Sequence, residues 1–364
     1  MSNKRYLKAV GMVLCMALLT WVLGSSRGEA QETFAGKTVR IMVGYPPGGG
    51  HDLEARVMAR HLGKYIPGNP SVIVQNMPGA GGMIMITYIH SRAKPDGLTS
   101  GIAPSSHFMQ SLLRTDLKFD LGRMPAIWAV GGVNVDMVRD FLNAKTARDL
   151  LKVDPAKIVI GAREKRGSSC LKGKLAMELL GIKGYKAVCA YPGTAVIKAA
   201  MERGEVSFFN GTDAHLVGGG AFVDLAERGL VIPLWQTGIL TPEGKIVRSA
   251  TVPDLPTFYE VYKEVHGKPP SGPMWDSWKA ISLDLNKLLR ILLVAPGTPQ
   301  KRVNLMRRAI DQMAEDPAFV ADWERIFGQK LAPVRISAEE GERLKNDFLR
   351  PAPWQEFLRK FVEG

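Results

Sequence analysis

The sequence predicts an α/β fold of two domains, each a mainly parallel sheet flanked by helices, with a hinge between the domains. Two observations lead to this prediction. Short β-branched apolar runs alternate with segments of helical spacing over much of the chain, an order typical of parallel strands joined by crossover helices. The length of 364 residues also exceeds what one hydrophobic core comfortably organises, so two domains are expected.

The first thirty residues are typical of a secretory signal peptide. A basic region around Lys4 precedes the uncharged, mostly apolar run 9–24, and the small residues of 28–30 predict cleavage near Ala30. The apolar run is shorter than the roughly 20 residues that a membrane-spanning helix needs, and no later run is long enough to span. We therefore predict export to the periplasm and a soluble mature chain.

A strand, a glycine loop and a helix follow one another between Thr38 and Tyr65. The apolar run that starts at Thr38 stops at Pro46, three glycines follow, and an amphipathic helix begins at His51. Glycine has no Cβ, so the backbone N–H groups of this loop can approach a ligand, and the positive end of the helix favours an anion there. The predicted ligand-binding residues of this loop are Tyr45, Pro47, Gly48, Gly49, Gly50, His51 and Asp52.

A second glycine loop follows the predicted strand Ser71–Asn76 and leads into another helix. Loops at the carboxyl ends of parallel strands open on one edge of the sheet, so the two loops are expected to grip one carboxylate together. Neither loop has the third glycine of a dinucleotide motif or the Gly-Lys-Ser/Thr of a P-loop. The alternative is that each is an ordinary tight turn. The candidate ligand-binding residues of the second loop are Pro78, Gly79, Ala80, Gly81 and Gly82.

Hydroxyl and glycine residues recur where later strands give way to helices. Ser105 and Ser106 follow the predicted third strand, so their hydroxyls are expected on the same edge as the glycine loops. They are candidate ligand donors, with helix capping as the alternative. Ser168 and Ser169 begin a helix in the second half, beside the charges of Lys165 and Arg166, where a solvated loop is the alternative.

Two apolar segments predict the crossings between the domains, Ala126–Val133 outward and Val231–Thr237 on return. The first domain is therefore discontinuous in sequence, which predicts a hinge. The proline- and glycine-rich segment Gly267–Trp278 is expected to be a loop over the sheet. The predicted boundaries are 1–30 for the signal peptide, 31–132 and 237–364 for domain 1, and 133–236 for domain 2.

The charge balance favours an anionic small ligand. The formal net charge is +13, and removal of the leader leaves +10. Export, and the absence of a basic run interleaved with aromatic residues, argue against nucleic acid. No metal-ligand spacing is present and no cofactor is expected. Cys170 and Cys189 flank a predicted helix and the next strand, and either a disulfide or two separate buried thiols fits this spacing.

Four motifs resemble the Bug or TctC-type receptors, the solute-binding proteins of tripartite tricarboxylate transporters. They are Tyr-Pro-Pro-Gly-Gly-Gly-His-Asp at 45–52, Gln-Asn-Met-Pro-Gly-Ala-Gly-Gly at 75–82, Lys-Pro-Asp-Gly at 94–97 and Val-Pro-Asp-Leu-Pro-Thr at 252–257. The likeness runs over nearly all the mature chain. It implies a two-domain type II periplasmic binding-protein fold that closes on a small carboxylate, with the two glycine loops holding the carboxylate through backbone groups and ordered waters.

The resemblance also implies roles for residues of the second domain. Ser168 and Ser169 match the family's serine-containing loop, and Tyr191 with Gly193 is similar to its tyrosine-glycine stretch. The family usually has an acidic residue after the next strand, a role for which Asp213 is the candidate although it stands two residues late. His51 replaces a small or hydroxyl residue.

The function implied is capture of a carboxylate, without chemistry, for the membrane subunits of a tripartite tricarboxylate-type transporter, by a monomer. Two alternatives stay open at this point. The same clamp could serve a sensor or regulatory partner, or it could be a periplasmic enzyme, although the chain has no Gly-x-Ser-x-Gly motif and no metal-ligand cluster.

Overall fold

The computed structural model describes residues 33–218, 220–241, 243–328 and 335–363. Within them, two sheets flanked by helices form the two-domain α/β fold that the sequence predicts. The predicted signal peptide lies outside the described residues. Among the described residues, no helix has both the length and the apolar character needed to cross a bilayer.

The first sheet has six strands in the order β13-β4-β12-β3-β1-β2. Strands β1 to β4 share one direction, because β1 is parallel to both β2 and β3 and because β12 is antiparallel to both β3 and β4. The sheet is nevertheless mixed, which corrects the prediction of a mainly parallel sheet, because β12 and β13 run antiparallel to their neighbours and strand direction depends on pairings that are remote in sequence. Its strands are β1 (Thr38–Val43), β2 (Ser71–Asn76), β3 (Thr99–Pro104), β4 (Ala126–Val130), β12 (Arg290–Val294) and β13 (Arg335–Ile336).

The second sheet has five strands in the order β7-β6-β8-β5-β9. Strand β6 is parallel to β7 and β8, whereas β5 is antiparallel to both β8 and β9 and is the reversed strand. A hairpin of two short strands follows β9. The strands are β5 (Asn134–Arg139), β6 (Val159–Ala162), β7 (Lys186–Cys189), β8 (Phe208–Thr212) and β9 (Val231–Gln236), and the hairpin is β10 (Ile239–Leu240) with β11 (Ile246–Val247).

Helices pack on both faces of each sheet. They are α1 (Gly50–Leu62), α2 (Met83–Ser91), α3 (Ser105–Leu113), α4 (Ala147–Leu150), α5 (Ser168–Leu179), α6 (Thr194–Glu202), α7 (Val223–Glu227), α8 (Phe258–His266), α9 (Pro273–Lys279), α10 (Gln300–Glu315), α11 (Pro317–Phe327), α12 (Ala338–Leu349) and α13 (Pro353–Glu363).

The first sheet separates two apolar clusters. On one face, α1, α10 and α11 bury residues such as Met58, Met306 and Trp323 against the strands. On the other face, α3 and α12 meet through the edge-to-face pair Phe108 and Phe348, whose ring centroids are 6.1 Å apart. Packing on both faces explains why the strands read as nearly continuous apolar runs in the sequence.

The two crossings between the sheets lie side by side. Residues 131–133 leave β4 for β5, and the return begins at Thr237 directly after β9. The backbone N–H of Thr237 donates to the carbonyl of Asn134 at 2.9 Å, and its hydroxyl accepts from the N–H of Asn134 at 3.1 Å and from the amide of Asn286 at 3.1 Å. This is the geometry of a two-stranded hinge. The predicted boundaries at 133 and 236 stay a prediction.

A buried lysine completes the hinge. The Lys172 ammonium donates to the side-chain oxygens of Asn134 at 2.7 Å and Asn286 at 2.5 Å. Burial lowers the pKa of Lys172 to about 7, with the Asp136 carboxylate opposing that change. Helix α5 of the second domain is therefore tied to both domains where the two crossing segments lie side by side.

The segment Gly267–Trp278 is a loop only in its first part, which corrects the sequence-based prediction. Helix α9 begins at Pro273, because proline is favoured in the first turn of a helix and Gly272 takes φ 92°, a conformation that glycine adopts without strain. Its rings Trp275 and Trp278 are buried and stacked, with centroids 5.0 Å apart. The sequence analysis missed this short buried helix because its tryptophans stand among prolines and glycines, which favour a loop.

Candidate ligand-binding cleft

The first glycine loop is exposed and braced from behind. Gly48 has φ +85°, and a Cβ at Gly48 or Gly50 would meet nothing within 4 Å. Helix α1 begins at Gly50 without a side-chain cap. Backbone donors at a helix start with open space before them can accept an anion.

Asp52 is the brace. Its buried carboxylate accepts from the Gly48 N–H at 2.9 Å, from Arg56 Nε at 2.8 Å and from Asn76 Nδ2 at 2.9 Å. Burial favours the neutral acid, but these three donors outweigh it and lower the pKa of Asp52. The carboxylate of Asp52 is thus engaged within the first domain and fixes the shape of the loop.

The second glycine loop lies directly against the first. Gly79, Ala80, Gly81 and Gly82 all have positive φ, so the backbone turns sharply here. A Cβ at Gly44 would lie 2.6 Å from the Cα of Gly82, which shows how closely the two loops approach. The structure therefore brings the two predicted loops together at one sheet edge.

One carbonyl ties the loops to their supports. The Gly81 oxygen accepts from the Tyr45 hydroxyl at 3.0 Å and lies 3.1 Å from His107 Nε2. Tyr45 also stacks on His51, with ring centroids 4.9 Å apart. Burial raises the pKa of Tyr45 to about 12, so its hydroxyl stays protonated and remains a donor to this carbonyl.

Three histidines near the cleft are neutral at pH 7. Burial lowers the pKa of His107 to about 4 and that of His215 to about 3, and it lowers the pKa of His51 as well. The cations Arg290 and Arg163 add to this effect at His51 and His215. The imidazoles therefore act in the cleft as neutral hydrogen-bonding and stacking groups.

The second domain meets the glycine loops through the start of α5 and the loop before it. The hydroxyls of Ser105 and Ser168 lie 3.0 Å apart, one from each domain. Ser106 is buried beside them, and Ser169 donates to the carbonyl of Asn210 at 2.8 Å. The four predicted serines therefore lie where the domains meet, although Ser169 is directed to its own domain.

Arg163 and Glu164 also lie on the second-domain side of the cleft, which we call the second-domain wall. The sequence analysis did not predict them as site residues. The guanidinium carbon of Arg163 lies 5.1 Å from the centroid of the Tyr45 ring. A Cβ at Gly81 would lie 2.9 Å from Glu164 Cγ and Oε1. Both residues directly follow β6, at the carboxyl end of a parallel strand, which is the signal that could have identified them.

A disulfide joins the two predicted loops of the second domain. The Cys170 and Cys189 sulfurs are 2.11 Å apart, which decides between the alternatives left open by the sequence. Cys170 is in the first turn of α5 after Ser168, and Cys189 ends β7 just before Tyr191 and Gly193. The Tyr191 N–H donates to the carbonyl of Ala162 at 3.1 Å. No described contact brings Tyr191 or Gly193 to the glycine loops.

Asp213 lies at a cavity that is separate from the glycine loops. It lines a cavity of about 580 Å³ beside the hinge, together with Gly131, Val133, Gly238 and Thr251. Burial raises the pKa of Asp213 to about 6, while the backbone N–H of Ala214 favours its ionised form. None of the described glycine-loop residues lines this cavity. Asp213 is thus placed at the hinge end of the domain boundary.

A buried ion pair underlies the cleft on the first-domain side. Arg290 Nη1 lies 2.7 Å from Glu54 Oε2, and the Trp128 indole donates to Glu54 Oε1 at 3.0 Å. Glu54 projects from α1 and Arg290 begins β12, so the pair connects segments 236 residues apart in the chain. Nothing in the local sequence around either residue predicts this pairing. Among the described residues there is no cluster of three side chains placed to hold a metal ion.

Comparisons with known proteins agree with the four motifs. No protein-family model matches the chain. The protein BugT of Bordetella pertussis is 26% identical over 354 residues, which cover 93% of each chain. The structure of the periplasmic binding protein BugD aligns with TM-score 0.67 and 20% identity, over 89% of this chain and 97% of its own.

A third similar protein, Rpa4515 of R. palustris, has been solved with adipate. It aligns with TM-score 0.67 and 20% identity, over 90% of this chain and 97% of its own. At these identities the two solved structures establish the fold. Together with the BugT similarity over nearly the whole chain, they confirm the resemblance to the Bug/TctC-type receptors.

Proposed function

We propose that this chain, as a Bug/TctC-type receptor, captures a small carboxylate outside the cytoplasm by closing its two domains around it. The observation that carries the proposal is the pair of glycine loops, held edge to edge and facing a wall of the second domain. The site pairs backbone donors on one side with hydroxyl and charged side chains on the other. Such a pairing suits a ligand that is an anion at one end.

The first-domain loops supply the carboxylate site in this proposal. Neutral backbone dipoles can hold an anion without the buried ion pair whose desolvation often offsets its attraction. The uncapped start of α1 and the positive-φ turn of the second loop are the donors. The proposed contacts are Pro47, Gly48, Gly49, Gly50 and His51 in the first loop, and Pro78, Gly79, Ala80, Gly81 and Gly82 in the second.

The second domain completes the site on closure. Ser105 and Ser106 lie opposite Ser168 at the domain boundary, and the hinge at Asn134 and Thr237 lets the two sheets turn toward each other. Hinge closure around a ligand buries it and changes the outer surface, which a partner can recognise. Tyr191, Gly193 and Asp213 are proposed as outer contacts, which a larger ligand would reach.

The solved similar proteins support a carboxylate ligand and a transport role. BugD is described as a periplasmic binding protein, and Rpa4515 was solved with adipate, a dicarboxylate. We place this protein in the periplasm by analogy. Its partners in this proposal are the membrane subunits of a tripartite tricarboxylate-type transporter.

Binding without chemistry is the better reading of the site. The hydroxyls of Ser105 and Ser168 face each other, and His107 is engaged with the Gly81 carbonyl, so in the described cleft no base is hydrogen-bonded to a serine nucleophile. The similar solved protein BugD is described as a binding protein. Turnover of a bound carboxylate would overturn this part of the proposal.

A thermal-shift screen of the mature protein, from Gln31 onward, tests the function. The screen covers aliphatic and aromatic mono-, di- and tricarboxylates. A ligand at about 100 times its dissociation constant adds roughly 2.7 kcal/mol of stability, which is visible as a higher melting temperature. A concentration-dependent rise with one carboxylate class is the expected result. The absence of a shift with every carboxylate would overturn the proposal.

A further inference from the structure

Glu164 lies between the two domains at the glycine loops. Its side chain extends from its own loop, where Oε2 would be 2.6 Å from a Cβ at Gly167, to the first domain, where Oε1 would be 2.9 Å from a Cβ at Gly81. The carboxylate therefore faces the site that the proposed function gives to a ligand. No family motif that the sequence displays includes this residue.

One oxygen of this carboxylate has no partner. Glu164 Oε1 is buried and has no hydrogen-bond partner of good geometry among the described residues; burial raises the pKa of Glu164, while the Arg163 cation and the Tyr45 hydroxyl beside it favour the ionised form. The nearby Tyr45 hydroxyl has a single proton, which it donates to the Gly81 carbonyl at 3.0 Å. Arg163 lies over the Tyr45 ring and forms no ion pair with Glu164 within the described residues. The cleft thus presents an acceptor that lacks a donor.

An unpaired buried acceptor is costly, more so when it is charged. A ligand that brings a donor to Oε1 regains this energy on binding. A ligand that brings a second carboxylate to the same place meets like-charge repulsion in a partly dehydrated cleft. The guanidinium of Arg163, next in the chain, favours a negative group on the neighbouring part of the ligand. The two side chains therefore form an ordered pair of opposite charges.

We propose that Glu164 makes this receptor selective for carboxylates that also carry an ammonium group, with the ammonium at Glu164 Oε1 and a carboxylate at the glycine loops. This inference rests on the proposed function, since it needs the glycine loops to hold the carboxylate. Arg163 then accommodates a further anionic group of the ligand. Glu164 is a specificity-determining residue in this account.

Isothermal titration calorimetry at pH 7.5 with matched ligands tests the inference. The probe pairs are aspartate with succinate, glutamate with glutarate, and 4-aminobutyrate with butyrate, so each pair differs in one amino group. In the wild-type protein, the amino member of at least one pair is expected to bind at least about 10-fold more tightly than its partner, which corresponds to about 1.4 kcal/mol.

The Glu164→Gln variant keeps the size of the side chain and removes its charge. It is expected to lose at least about 10-fold in affinity for the amino member and to bind the plain acid as well as or better than the wild type does. Glu227→Gln is the matched control, because it makes the same change at an exposed position on α7. Its affinities are expected to equal those of the wild type.

The outcomes separate this inference from the proposed function. If the wild type binds plain acids as tightly as their amino partners, or if Glu164→Gln keeps the wild-type order, the inference is overturned and the receptor function stands. Equal effects of Glu164→Gln and Glu227→Gln would overturn it too, because they would show a general charge effect. Binding of no acid or amino acid by any of the proteins would overturn both.

Discussion

The two walls of the cleft differ in the part of the chain that faces the ligand. The first-domain wall is mainly backbone, two glycine loops shaped by supports behind them such as Asp52 and His107. The hydroxyls of Ser105 and Ser106 are its side-chain part. The second-domain wall is side chains, with Arg163, Glu164 and Ser168 facing across. Backbone donors recognise a carboxylate whatever it is attached to. Side chains recognise what else the ligand carries.

The walls also differ in whether their ionisable groups are paired or neutral. On the first side, Asp52 is surrounded by donors and the histidines are neutral at pH 7, so the surface offers dipoles without a free charge. On the second side, Arg163 and Glu164 are ionisable groups without an ion-pair partner among the described residues, and burial raises the pKa of Glu164 while Arg163 opposes that change. In our proposal, affinity for the carboxylate and choice among carboxylates are therefore assigned to different domains.

Gly81→Val gives the largest expected effect, because it breaks the backbone wall. Gly81 has φ +66°, and a Cβ there would meet Glu164 at 2.9 Å, so the variant is strained and resists closure. We expect the affinity for the carboxylate found in the screen to fall at least about 1,000-fold, or about 4 kcal/mol. Calorimetric titration measures the loss.

Gly229→Val is the control for this change. Gly229 also has positive φ, at +67°, but a Cβ there would meet nothing within 4 Å, and the residue lies in a turn after α7 away from the cleft. It carries the backbone strain without the clash. If both variants lose affinity equally, strain alone explains the loss and the glycine loops are not the carboxylate site.

The same comparison explains what could be predicted from the sequence. A backbone wall has a visible signature, because only glycine serves at positions such as Gly81 and Gly82, so the motifs pointed to the loops directly. A wall of ordinary charged residues has only a positional signal, the carboxyl end of a parallel strand such as β6. Arg163 and Glu164 stand beside Lys165 and Arg166 in one charged run, and nothing local shows which of the four turn inward.

Interactions between distant segments could not be predicted either, because no local pattern in the sequence marks them. Lys172 is on a helix whose pattern was recognised, but its partners Asn134 and Asn286 are 38 and 114 residues away in the chain. The sequence analysis also assigned no strand to β5. Its reversed direction depends on neighbouring strands that are remote in sequence. Alternation of strands and helices, in contrast, is local and gave the fold class.

Removal of the Cys170–Cys189 bridge gives the next largest effect, and it sharpens the comparison by loosening the side-chain wall alone. The bridge closes a loop with a sequence separation of 19, and the loop-entropy relation gives about 3 kcal/mol of stability for a loop of this size. We expect the Cys170→Ser/Cys189→Ser double variant to unfold at lower denaturant concentration by this amount. Equilibrium urea unfolding, compared with the oxidised wild type, measures it.

Ligand binding by the double variant is the informative second measurement. The glycine loops are in the other domain, so binding of the carboxylate is expected to persist, with less discrimination between related acids because Ser168 and its loop are less fixed. A double variant that keeps full stability and full discrimination would show that the bridge does not hold the second wall in place.

His107 gives the smallest expected effect, on the pH dependence of stability. Its pKa is lowered by burial from the ordinary 6.5 to about 4. Between these values the unfolded chain binds a proton that the folded protein does not, so the stability present above pH 6.5 is lost as the pH falls toward 4. At pH 5 this single group accounts for a loss of about 2 kcal/mol relative to pH 7 or above.

His107→Gln removes this titration and keeps an amide that can donate to the Gly81 carbonyl. The free energy of unfolding, measured by urea at pH 7.5 and pH 5, is therefore expected to fall less between the two pH values in the variant than in the wild type, by about 2 kcal/mol. An identical fall in both proteins would mean that His107 is protonated in the folded state at pH 5. The carbonyl at the centre of the backbone wall would then be held by a cation, and the contrast in charge between the two walls would not hold.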